Sequence, residues 1–295
     1  IKVNTPGIVL LGLGYATLIP AFSSGSLIEV GKVDGVRIAG LMLQAGSTSQ
    51  HNAALLQWGE KGSTYAGSAD DPGFIYDLCA RAAGPGPKEP VGVQYFVQIN
   101  NGWVIGDNVW LWSADHCGLQ TTWPCPYPIV DTGLEVNGDH VTVYGLMAEH
   151  TQGDIVSWNG EFGEVVFLQV EFRYAMGPRS GPKLQPTSNV AYRLTAQQHK
   201  AVGGGIYVVI DPSTVSGEVY PLSVPGGMTA VAIEPRSAST NPKNMWAYSF
   251  KDFSAVNWNQ DWPRDSILTC TCAAAGKGAA AACIDRATAE WVATA

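Results

Sequence analysis

Short apolar runs with strict alternation recur along this chain, each led by Gly, Asn or Asp and bounded by turn residues. In "GDNVWLWSADHCG", Val109 and Leu111 fall to one side and Trp110 and Trp112 to the other, which is the period of a strand and not of a helix. Four segments share a frame. "VDGVRIAGLMLQAG" sets Val36, Ile38, Gly40, Leu41 and Met42 against Val141, Val143, Gly145, Leu146 and Met147 of "GDHVTVYGLMAEHT". Val109, Leu111, Ser113, Ala114 and Asp115 fit the same frame, as do Val165, Phe167, Gln169, Val170 and Glu171 of "GEVVFLQVEF".

Strands this short bury their inward row only by stacking on the next copy, so the pattern predicts a solenoid. The expected fold is all-β, a right-handed parallel β-helix with a loop-rich C-terminal extension. A β-sandwich is the competing fold; it requires hairpins, for which "INNGW" is the best turn. The turns "IGD", "VNGD" and "NGEFGE" recur at one place in the frame, as coil corners do. After residue 175 the frame fades, although "GGGIYVVIDPSTVSGEVYPLSV" and "GMTAVAIEP" read as further coils. The division expected is a β-helix over residues 1–264 and a Cys/Ala-rich tail over 265–295, with a short helix at "CIDRATAEWVA".

Composition supports a folded, turn-rich chain: 295 residues, 46% hydrophobic, 14% charged, with 34 Gly and 18 Pro. A net charge of −8 and scattered Lys and Arg argue against a nucleic-acid partner. No apolar run reaches the roughly 18 residues of a membrane helix. The opening "IKVNTPGIVLLGLGYATLIP" reads as strand and turn, not as a leader, as in a mature product or a fragment lacking its N-terminal part. Cys117 and Cys125 flank "GLQTTWP" and can close it as a local disulfide, whereas Cys79 sits in an apolar run as a buried thiol. The pairing of Cys270, Cys272 and Cys283 stays open. "CTC" has no nearby His and the wrong spacing for zinc, so neither metal nor cofactor is expected. Paired cysteines point to an oxidising, extracellular setting.

The segments "NTPGIVLLGLGYATLIP", "VDGVRIAGLML", "WLWSADHCG", "DTGLEVNGDHVTVYGLMAEH" and "WNGEFGEVVFLQVEF" resemble the C-terminal half of a family of large secreted β-helix proteins. These are often labelled coagulation-factor-5/8-type-domain proteins. They belong to the pectate-lyase-like superfamily and are related in architecture to the tandem β-helix exo-β-1,3-glucanases. The resemblance runs over about residues 4 to 175. It implies a parallel β-helix, a polysaccharide partner, and an N-terminal β-helix domain or partner chain outside this sequence.

Candidate chemistry gathers where strands leave the core. The frame puts Asp115, Met147 and Glu171 in one column on three coils, with Glu149 and His150 just beyond on the middle coil. At the β spacing Asp115 and Glu171 are then about 9–10 Å apart, near the upper end of the inverting-glycosidase range. The reading is a secreted polysaccharide hydrolase acting on a β-glucan or a related polymer. Glu171 is its general acid, Asp115 or Glu149 the base, and His150 an orienting hydrogen-bonder. Trp110, Trp112, Trp123 and Trp158 are candidate sugar platforms, and Asn159 and Gln169 candidate hydroxyl partners. Blander roles compete: Asp115 as a corner cap, Glu149–His150 as a surface pair, Glu171 bridged to Arg173, the tryptophans as packing, His199 as a loop residue. A lyase is a variant, though the acidic column lacks its usual base or calcium. From another class, a non-catalytic structural or adhesive β-helix also fits.

Overall fold

The structure is a computed structural model that describes residues 1–47, 52–82, 91–114, 128–171, 190–196, 198–208, 228–233, 241–249, 256–257 and 267–271, with side chains to residue 206. In chain order the strands are β1 (Lys2–Val3), β2 (Val9–Leu18), β3 (Ile28–Val30), β4 (Arg37–Gln44), β5 (Ala54–Trp58) and β6 (Gly73–Ala82). They continue as β7 (Gly92–Ile99), β8 (Val104–Ser113), β9 (Ile129–Val136), β10 (Thr142–Glu149), β11 (Val156–Trp158) and β12 (Gly163–Glu171). The last are β13 (Val190–Leu194), β14 (His199–Val208), β15 (Met228–Ile233), β16 (Asn241–Ser249), β17 (Val256–Asn257) and β18 (Ile267–Thr271).

Odd-numbered strands form one nine-stranded sheet and even-numbered strands another, each in sequence order. Among the described residues every pair of neighbouring strands is parallel, as in β10 with β8 and β12. This is a parallel β-helix, in which each coil contributes one strand to each sheet; the hairpins of a sandwich are not formed. Among the described residues no helix is long and apolar enough to cross a membrane. β18 pairs with β16, so the second sheet continues past residue 264. The helix expected at "CIDRATAEWVA" lies outside the described residues.

The even strands from β4 to β14 are bent, and the bend controls which residues face in. Gly40, Asp77, Asn108, Gly145, Phe167 and Gly203 all hold left-handed backbones, with φ between 49° and 71°. Pairing resumes in step on either side: Tyr144 opposes Val166 before the bend and Leu146 opposes Leu168 after it. Asn108 Nδ2 donates to Asp77 Oδ1 at 2.5 Å, tying two bends together. Because one residue turns the chain, inward positions are three apart across it: Val143 and Leu146 are both buried, as are Ile75 and Leu78. Constant alternation, with period two, fails at this point.

That shift corrects the frame drawn from the sequence. Val109 lies opposite Leu78 and Leu146, not Val141, and Val165 lies opposite Val143. The expected inward Phe167 occupies the bend and is 62% exposed. The core is the stack Leu78–Val109–Leu146–Leu168 with its neighbour Ala80–Leu111–Ala148–Val170, all buried. Burying each of the larger side chains contributes about 1.5–3 kcal/mol.

Two further ladders hold the corners. Asn159 Nδ2 donates to Asn137 Oδ1 and Asn137 Nδ2 to Asn100 Oδ1, both at 2.8 Å. The rings of Trp103, His140 and Phe162 stack with centroids 4.1 Å and 4.8 Å apart.

Candidate active site

Glu149 and Glu171 are the last residues of β10 and β12 and face each other as Cα partners on adjacent coils. The parallel register continues the same outer row to Trp112 on β8, Arg81 on β6 and Gln44 on β4. A second outer row beside it runs Met42, Cys79, Trp110, Met147 and Gln169. Met147 therefore stands beside Trp110 and Gln169, and the column expected for Met147 and Glu171 splits into two rows. Asp115, Trp123 and the proposed Cys117–Cys125 disulfide lie outside the described residues. Cys79 is a free thiol, buried as expected.

His150 follows Glu149 with φ 62° and turns the chain inward, which buries its ring to 3% exposure. Its backbone N–H donates to Glu171 O at 2.9 Å, linking the two coils beside the acids. Ring Nδ1 lies 3.2 Å from the carbonyl oxygen of Ser113. A carbonyl only accepts, so Nδ1 carries the hydrogen, and Nε2 is turned to Glu171, 3.7 Å from Oε1. The backbone bond ties the coil of His150 to the strand end that carries Glu171, and the ring lies beside its carboxyl group.

The carboxyl group of Glu149 is raised above the usual carboxylate range. Burial is the main cause and the neighbouring Glu171 adds to it, while His150 and hydrogen bonds from Trp110 and Gln169 oppose it. These donors come from the coils on either side, and they hold the carboxyl between them. Gln169, a candidate hydroxyl partner, has Glu149 as its partner here. Trp110 is 38% exposed and stacks on Trp112, with centroids 5.3 Å apart and planes 16° from parallel. The pair forms an aromatic surface next to the acids.

Two expected sugar contacts belong elsewhere. Trp158 is fully buried inside the coil, packed against His199 with centroids 4.8 Å apart. It is the last residue of β11, on the other sheet, and its side chain points inward. Asn159 accepts from Thr195 Oγ1 at 2.5 Å and donates to Asn137, so both ends of its amide are used in the corner ladder. His199 is no loop residue: it opens β14 and lies in the core, its Nε2 2.6 Å from Tyr192 Oη.

One oxygen of Glu149, one ring nitrogen of His150 and one oxygen of Glu171 lie within 4.8 Å of one another, close enough to converge on a small cation. The N–H donors on Glu149 suit a carboxylate that works through hydrogen bonds better than one reserved for a metal. The same closeness lets the charge of Glu171 add to the burial that raises the Glu149 pKa.

The LAM55 pectate lyase-like domain matches residues 1–171, more than half of the chain. The chain belongs to the LAM55 pectate lyase-like family. An exo-beta-1,3-glucanase of Streptomyces sp. (strain SirexAA-E / ActE) is 34% identical over 174 residues, which is 59% of this chain and 27% of that protein. The structure of sacteLam55A from Streptomyces sp. SirexAA-E superposes with a TM-score of 0.66 at 26% identity, over 88% of this chain and 45% of that one. A glutamate-to-alanine variant of sacteLam55A in complex with glucose gives a TM-score of 0.65 at 25% identity, over 88% of this chain and 44% of that one. The chain thus spans less than half the length of these LAM55 relatives, and Glu171 is the last residue of the family match.

Proposed function

We propose that this chain carries the acid pair of a secreted glycoside hydrolase acting on β-1,3-glucan. The observation that carries the reading is the juxtaposition of Glu149 and Glu171 on adjacent coils beside the Trp110–Trp112 surface. Two carboxyl groups flanking an aromatic surface are what hydrolysis of a glycosidic bond needs: one proton to give, one charge to take, and an apolar face for a sugar ring. The activity named for the Streptomyces relative supports β-1,3-glucan as the polymer. An insoluble or very large glucan has to be met outside the cell, which supports secretion.

Glu171 is the general acid. Its side chain is 17% exposed at the strand end, so its oxygen can reach the glycosidic oxygen of a sugar chain laid across that end. Glu149, more enclosed and held by Trp110 and Gln169, is the second carboxyl. Burial raises its pKa, which makes it a stronger proton acceptor than an exposed glutamate. The pair is closer than the roughly 6.5–9.5 Å that admits a water directly between acid and base. Glu149 is the base of the pair, set beside Glu171 at the strand end.

The test is release of glucose or reducing sugar from a panel of β-1,3-, β-1,4- and mixed-linkage glucans. Release confined to β-1,3-linked polymers and lost in Glu171→Gln supports the reading. No release from any of them by the folded protein favours a structural or adhesive β-helix.

A further inference from the structure

The outer row that holds the acids does not end at Trp112. On the next coil toward the N-terminus stands Arg81, and on the one after it Gln44. Arg81 Nε donates to Gln44 Oε1 at 2.6 Å. Among the described residues Arg81 has no carboxylate partner, whereas the other paired cations (Lys2, Lys61, Arg193 and Lys200) each have one. One lone pair of the Gln44 oxygen is taken by this bond. What remains of the two side chains is mostly donors, the terminal guanidinium N–H groups and the Gln44 amide N–H groups, beside one further lone pair on Gln44 Oε1. Arg81 is half-buried, and no carboxylate among the described residues neutralises its charge. Beside it, Met42 and the buried Cys79 give an apolar floor continuous with Trp110.

A patch so rich in donors suits a ligand that brings acceptors. Coils repeat at about 4.8 Å, so Arg81 lies about 10 Å along the axis from Glu149, with Trp112 between them. One coil advances close to the length of one pyranose ring. A glycan lying along the row meets the acid pair, then an indole, then this cluster of donors. We propose that Arg81 and Gln44 form a distal sugar subsite, in which their N–H groups bind hydroxyl oxygens of a glucosyl residue remote from the bond cleaved. The subsite rests on the reading of Glu149 and Glu171 as a glucan-cleaving pair, and makes that enzyme's affinity depend on chain length.

The experiment compares β-1,3-linked glucose oligomers from the disaccharide to the hexasaccharide. Calorimetry follows their binding to Glu171→Gln and to Glu171→Gln with Arg81→Met, which keeps the aliphatic stem and removes the donors. KM is measured for each oligomer with the otherwise native chain and with Arg81→Met. The expected result is an affinity that steps up with length, and an Arg81→Met penalty that grows with length to about tenfold for the longest oligomers, expressed in KM and not in kcat. A penalty equal at every length, or no penalty, overturns the subsite. Gln44→Leu serves as the second variant, and the same length-dependent loss is expected of it. If the native chain binds these oligomers but releases no glucose, calorimetry still reads the step and its dependence on Arg81, so the enzyme reading falls and the subsite stands. If none of the oligomers binds, both fall.

Discussion

Acid should loosen the C-terminal coils through one buried histidine. His199 is enclosed with Trp158 and Tyr192, and burial lowers its pKa to about 3 from 6.5. In the folded chain it therefore stays neutral, while the unfolded chain takes up a proton as pH falls through 6.5. The unfolded state then binds more protons, so stability falls with falling pH in the window between these two values and levels off below the lower one. Each pH unit within the window costs about 1.4 kcal/mol. Near pH 5 the loss relative to the neutral range is about 2 kcal/mol. His199→Phe keeps a ring against Trp158 but abolishes this titration, and it leaves Tyr192 Oη without its partner at a pH-independent cost of about 1–3 kcal/mol. Urea unfolding across the pH range is the assay, with hydrogen exchange in β13 and β14 to localise the effect. The variant is expected to be the less stable near neutrality and to lose less on acidification. Curves for the two proteins that run parallel across the window would refute the reasoning.

Two further predictions concern the site and the coil interior. Trp110→Phe keeps an aromatic ring but removes an N–H that lowers the Glu149 pKa, so the group should rise further; a glucanase pH profile should show its controlling pKa moved upward. Gly163→Ala would bring a Cβ within 2.3 Å of Trp158 Nε1, inside the fully buried core. It should cost about 1–3 kcal/mol in urea unfolding with the site geometry retained, whereas a neutral result would mean that the corner yields more easily than this packing implies.

The solenoid was legible because each strand carries its own alternation and its own leading turn, and only parallel stacking buries such rows. Glu149, Glu171, His150 and Gln169 were legible as a group because they end strands. Their register was not. The left-handed residue inside each even strand from β4 to β14 shifts inward positions from two apart to three, and Gly145, Asn108 and Phe167 do not look alike as letters. Aligning "GLML", "DLCA", "NVWL", "GLMA" and "FLQV" on that residue puts Glu149 beside Glu171 and reveals Arg81 and Gln44 in the same row. Trp158 and Asn159 were misplaced for a different reason. A tryptophan and an asparagine near acids in sequence fit a sugar site, but the corner that follows β11 commits the first to the lumen and the second to a ladder.

The central claim is that Glu149 and Glu171 work as one unit on a β-1,3-glucan. The most direct test is a double-variant cycle in kcat for laminarin hydrolysis, with Glu149→Gln, Glu171→Gln and the two combined. Each single change should lower kcat by on the order of 10²–10⁴, and the combined variant should lose little more than the worse single one, as residues that act together do. Losses that multiply in the combined variant, or a Glu171→Gln protein with undiminished turnover, would contradict the account.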